Sequence, residues 1–171
     1  MQINKVEDSI KNLIDVFFDA GKISLELRNK GLIEHIKKDN TPVTNGDIEV
    51  NKIILSSLKK ITPDIPIVSE ETSENKNLNL ETFWLVDPID GTYDYINNRD
   101  EFTLNAGLII NKEAIAGIIY APAKNRMFYT FGNDISYELN NDVEKVLNNK
   151  KIDKDNIKAV SYSNNLNSDI L

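Results

Sequence analysis

The chain has 171 residues, 40% of them hydrophobic and 27% charged, and 27 acidic against 20 basic side chains give a net charge of -7. One domain with a real core fits that length, and the acidic balance argues against a broad nucleic-acid surface. No apolar run reaches the roughly 20 residues that span a bilayer; cysteine is absent, which excludes disulfides and thiolate metal sites and makes a reducing cytoplasm the expected compartment.

The amino terminus carries Glu7 and Asp8 early and does not read as a secretory leader. Residues 4–28 predict a helix, because Val6, Ile10, Leu13, Phe17, Ala20 and Ser24 recur at spacings of three and four and form one face. Asn29-Lys30-Gly31 ends or kinks it, 31–46 carries no decisive pattern, and the region of Pro42 and Gly46 reads as loop. The lone histidine, His35, falls there and is expected at the surface. Asp47 is the expected cap of a second helix over 47–60, with Val50, Ile54 and Leu58 on its apolar side.

Ile65–Val68 predicts a short strand that runs into Ser69-Glu70-Glu71, and a polar loop over 72–81 follows. Phe83–Val86 predicts a second strand, running into Asp87-Pro88-Ile89-Asp90-Gly91-Thr92, with Pro88 ending regular pairing. Residues 92–97 allow a short helical turn. An antiparallel meander follows, with strands over 102–110, 114–121, 127–131 and 135–139. Residues 140–156 read as linker or exposed loop, and 157–160 as one more strand. Lys37-Lys38 and Lys150-Lys151 read as solvated surface, and the aromatics of the meander as strand packing.

Two apolar strands ending in carboxylates are the sequence's chemical feature. If the strands are neighbours, Glu70, Asp87 and Asp90 converge on one rim, where α/β sheets commonly bind ligands. Three mutually repelling oxygen donors call for a hard cation such as magnesium. A lone histidine does not build a transition-metal site.

The segment Trp84-Leu-Val-Asp-Pro-Ile-Asp-Gly-Thr92 resembles the signature of the inositol monophosphatase superfamily. Ser69-Glu70-Glu71 is similar to its partner motif, and Pro42-Val-Thr-Asn-Gly-Asp47 to its upstream segment. Within it the chain looks most like the CysQ-type 3'(2'),5'-bisphosphate nucleotidases, through Thr62–Glu71, Glu101–Asn105, Ile119–Pro122 and Ser161-Tyr-Ser163. It departs from that pattern at Tyr93, Tyr162 and Asn164.

The resemblance implies a layered α/β/α/β sandwich of the sugar-phosphatase type, of α+β class, in which two helices pack on an antiparallel sheet. It divides the chain into an amino-terminal metal-binding domain (1–140), a linker (141–156) and the start of a carboxy-terminal α/β domain (157–171). The function implied is hydrolysis of a bisphosphate nucleotide, adenosine 3',5'-bisphosphate to AMP and phosphate, by water activated by two magnesium ions. Glu70, Asp87 and the carbonyl of Ile89 hold the first ion in this reading, and Asp87 and Asp90 the second. Asp47 and Thr92 orient and deprotonate the water, while Asp90, Gly91 and Thr92 meet the substrate. Inositol or sugar phosphate hydrolysis is the alternative within the class.

Family members carry a further metal-binding Asp in a Trp-Asp segment of their second half. The only tryptophan here is Trp84, so a fragment that keeps the fold and part of the metal site, with little or no activity, is the reading outside the class. The partners expected are a small phosphorylated substrate, no nucleic-acid polymer and no membrane, with a homodimer or other association through the surface left by an absent second half.

Overall fold

The computed structural model describes residues 3–72, 79–132 and 135–147. The expected strand at 157–160, the stretch Ser161–Asn164 and parts of the loops at 72–81 and 132–134 lie outside these residues. So does the expected linker beyond Leu147.

Helix α1 (Ile3–Lys30) and helix α2 (Asn45–Ile61) lie side by side on one face of a seven-stranded sheet. Their inward faces are the ones the 3.6-residue period selects. Val6, Ile10, Leu13, Phe17, Ala20 and Ser24 of α1 are buried, as are Val50, Ile54 and Leu58 of α2. Helix α1 ends at Gly31, whose φ of 100° is the left-handed conformation usual after a helix. Across the interface, buried Trp84 donates its indole N–H to Thr62 Oγ1 at 3.0 Å, tying the sheet to the end of α2.

Between the helices, a small antiparallel hairpin forms from β1 (Glu34–Ile36) and β2 (Pro42–Thr44); β2 falls where a loop was expected around Pro42, and β1 where the sequence assigned no element. His35 sits on β1 and is exposed. The main sheet runs in chain order through β3 (Ile67–Ser69), β4 (Phe83–Asp90), β5 (Thr103–Ile110), β6 (Glu113–Ala121), β7 (Arg126–Thr130), β8 (Ser136–Asn140) and β9 (Val143–Leu147). Only β3 and β4 pair in parallel; every other neighbouring pair is antiparallel. This is the expected layered sandwich with an antiparallel sheet and packing helices.

Two further details differ from expectation. Strand β4 continues past Pro88 to Asp90, with the ladder shifting register between Asp87 and Asp90. Proline removes one donor and bends the strand there, and pairing resumes at Asp90 with Thr103. Strand β9 lies in the stretch expected to be linker; its residues are mostly exposed, so it carries little hydrophobic signal.

The sheet face opposite the helices is apolar and open. Leu85 is 50% exposed and Ile119 47% exposed. They border a groove of about 500 Å³, which Asp87 and Asn105 also line. Gly107 and Gly117, cross-strand partners, also line it.

Candidate active site

The parallel pairing of β3 with β4 builds the site. Its register sets Ser69 opposite Val86, so the next residues, Glu70 and Asp87, stand side by side at the strand ends. The Glu70 N–H donates to the carbonyl of Val86 at 3.0 Å and extends the ladder by one bond. Below it, buried Ser69 donates its hydroxyl to Asn51 Oδ1 of α2 at 2.7 Å, and the Glu71 N–H donates back to Ser69 Oγ at 3.3 Å.

Asp87 is half-buried, and its Oδ1 is buried with no hydrogen-bond partner. Its carboxyl is pushed up to about 7. Burial is the largest cause, followed by the charges of Glu70 and Asp90, a hydrogen bond with Glu70, and the charge of Asp47. Carboxylates from β3, β4 and α2 thus each add to the cost of ionising Asp87.

Asp90 ends β4 and is exposed, next to buried Ile89. The chain then reverses at Gly91, with φ 90° and ψ 37°, into the short helix α3 (Thr92–Ile96). The reversal returns Thr92 to the strand end. Its hydroxyl lies 3.1 Å from the carbonyl oxygen of Ile89 and 3.2 Å from Asp47 Oδ1, so one proton is shared between two acceptors.

Asp47 is buried, but it does not cap α2 as expected. Thr44 is the cap, and Asp47, at the third helical position, closes a capping box. The Thr44 N–H and hydroxyl donate to Asp47 Oδ2 at 2.8 and 2.5 Å. Burial pushes the Asp47 carboxyl up, against the lowering effect of these bonds and of the contact with Thr92. The other oxygen of Asp47 faces Thr92, so the cap of α2 and the site share one carboxylate. Thr44→Ala is expected to cost about 1 kcal/mol of stability, read by urea denaturation, with Asp47 left short of the hydroxyl donor and keeping the backbone one.

Lys37, read as solvated surface, is instead tied into the site. Its ammonium lies 2.6 Å from Glu71 Oε1 and 3.0 Å from Glu70 Oε1. Thr44, Lys37 and Glu71 are the site residues that sequence reasoning missed. The Thr44-x-x-Asp47 spacing was a readable signal for the first. Nothing in the sequence placed the hairpin that carries Lys37. Tyr93, at the start of α3, is exposed, with the Arg99 guanidinium 5.7 Å from its ring centre.

Among the described residues, no group of three or more Asp, Glu, His or Cys side chains is closed around a point at ligand spacing. The donor chemistry nevertheless suits a hard divalent cation. It offers the Asp87 carboxyl, crowded enough to hold a proton near neutrality and with one oxygen buried and unpartnered, and, two residues on, the carbonyl of Ile89.

Residues 5–168 match the inositol monophosphatase family. Among curated relatives, the 3'(2'),5'-bisphosphate nucleotidase CysQ of Escherichia coli O6:H1 is 43% identical over 94 residues, which are 54% of this chain and 38% of that protein. CysQ of Buchnera aphidicola is 40% identical over 66% of this chain and 44% of its own length. Among solved structures, the Thermotoga maritima IMPase superposes with a TM-score of 0.69 at 23% identity, over 77% of this chain and 51% of that one. CysQ from Bacteroides thetaiotaomicron gives 0.63 at 27% identity, over 78% of this chain and 49% of that one. The chain therefore spans about half the length of the solved relatives, and less than half of these curated ones.

Proposed function

Because the chain belongs to the inositol monophosphatase family, we propose that it carries the metal-binding half of a magnesium-dependent phosphomonoesterase whose substrate is a 3'(2'),5'-bisphosphate nucleotide. The observation that carries this reading is Asp87: a buried, unpartnered carboxylate oxygen, with Glu70 and Asp90 set against it by the fold. Uncompensated negative charge of this kind is expensive without a cation.

Glu70, Asp87, Asp90 and the carbonyl of Ile89 would hold magnesium. When bound, magnesium supplies Lewis-acid stabilisation of the charge on the transferring phosphoryl group. The chain's own residues do the proton work. The Thr92 hydroxyl donates to Asp47 and keeps lone pairs free to accept a proton from an attacking water. Asp47, buried and already raised, is a poised acceptor behind it. The turn amides at Gly91 and Thr92 are the chain's candidate donors to a phosphate oxygen.

Likeness to the CysQ proteins supports the nucleotide. Tyr93, where that branch often has a lysine, favours inositol or sugar phosphates as the second reading. The open apolar face of β4–β7 supports association through that surface, with another copy or with the remainder of a longer protein. No described helix is long and apolar enough to cross a membrane. The test is phosphate release from adenosine 3',5'-bisphosphate and from inositol 1-phosphate as magnesium is titrated. Release from the nucleotide that disappears in Asp87→Asn is expected. Release from inositol 1-phosphate alone contradicts the substrate. Release from neither, by a folded chain, leaves the reading in which this length is inactive.

A further inference from the structure

The hairpin brings a positive charge to the carboxylates. At its tip the Lys37 N–H donates to the carbonyl of Thr41 at 2.8 Å, and the Asn40 N–H to the carbonyl of Lys37 at 3.0 Å. Asn40 takes a φ of 65°, and Asp39 accepts from both the N–H and the hydroxyl of Thr41, at 3.1 and 2.6 Å. The turn is thus tied internally and directs Lys37 back over the end of β3. Of its two partners, Glu71 is the better enclosed: its side chain is 9% exposed, against 45% for Glu70.

We infer that Lys37 is a built-in competitor for the divalent cation at Glu70. The inference rests on the metal reading above and adds a residue to it. The ammonium is held on Glu70 Oε1, an oxygen of a proposed ligand. A cation arriving at that carboxylate meets a like charge close by and a lone pair already engaged. Glu71 gives the ammonium somewhere to stay. When the metal takes Glu70, Lys37 loses one arm of its ion pair and keeps the shorter one. The lysine therefore offsets carboxylate repulsion and lowers the site's affinity for the ion. Binding becomes weaker and more readily reversed than the carboxylates alone would make it.

The test titrates magnesium alone, by calorimetry, into the unmodified chain, Lys37→Met and Lys38→Met. Lys38 is exposed on the same turn and, among the described residues, makes no ion pair with Glu70 or Glu71. Its loss removes the same charge without freeing a ligand. Lys37→Met should bind magnesium about tenfold tighter than the unmodified chain, and Lys38→Met within about twofold of it. Equal affinity in the two variants, or weaker binding by Lys37→Met, overturns the competition while leaving the metal reading intact. Absence of binding in all three chains overturns both.

Discussion

Replacing Asp87 with Asn is expected to make the metal-free chain more stable at pH 8, although the proposed function requires that carboxylate. A carboxyl that ordinarily ionises near 3.8 does so here near 7. The folded state then holds a proton that the unfolded state has released. Stability that is fully present below the lower value is lost as pH rises towards the upper one. The ideal linkage for that interval is about 4 kcal/mol; partial solvent access reduces it to about 1–2 kcal/mol. Urea denaturation at pH 5 and pH 8 measures it. The unmodified chain should lose about two thirds of that between the two pH values, since the rest is lost below pH 5, and Asp87→Asn distinctly less. Burial also raises Asp47 and Glu71, so some slope remains in the variant. Equal slopes would mean that Asp87 ionises normally and that the crowding of the strand ends is unimportant.

Gly91→Ala should cost about 2–3 kcal/mol, in two separable parts. The φ of 90° disfavours any side chain, and an added Cβ would lie 2.8 Å from the carbonyl oxygen of Glu101 and 3.3 Å from Phe102 Cα. These backbone atoms, just ahead of β5, cannot swing aside as a side-chain tip can. Gly31 is a control, since its φ is 100° and nothing lies within 4 Å of an added Cβ. Gly31→Ala should cost about 1 kcal/mol, the conformational part alone. The difference between the variants, from parallel denaturation curves, is the price of the contact. The contact also bears on chemistry, because moving Gly91 moves Thr92 off Ile89 and Asp47. Equal costs at the two positions would contradict this account of the turn.

Long-range pairing set what could be read from residues alone. The faces of α1 and α2 were legible because a 3.6-residue period over many turns is a local signal. The meander was legible from alternation and turn residues. Hairpin β1–β2 was not, because its strands have three residues each and β1 is exposed throughout. Strand β9 was missed for the same lack of apolar alternation. At the site, the motifs marked Glu70, Asp87, Asp90 and Thr92, but only the parallel register of β3 and β4 makes Glu70 and Asp87 neighbours. Asp47 was chosen for the right helix and given the wrong local task, because the capping box assigns the cap to Thr44. Lys37 was illegible: its partners lie 33 and 34 residues away, across a turn whose geometry no periodicity announces.

The central claim is that the carboxylates gathered at the ends of β3 and β4 form a divalent-cation site. The most direct measurement is magnesium binding by the unmodified chain, Glu70→Gln and Asp87→Asn, titrated calorimetrically at pH 8, where Asp87 is largely ionised. The account predicts saturable binding by the unmodified chain, weaker binding by Glu70→Gln and loss of binding in Asp87→Asn. Identical titrations for the unmodified chain and Asp87→Asn, with both folded, would contradict it.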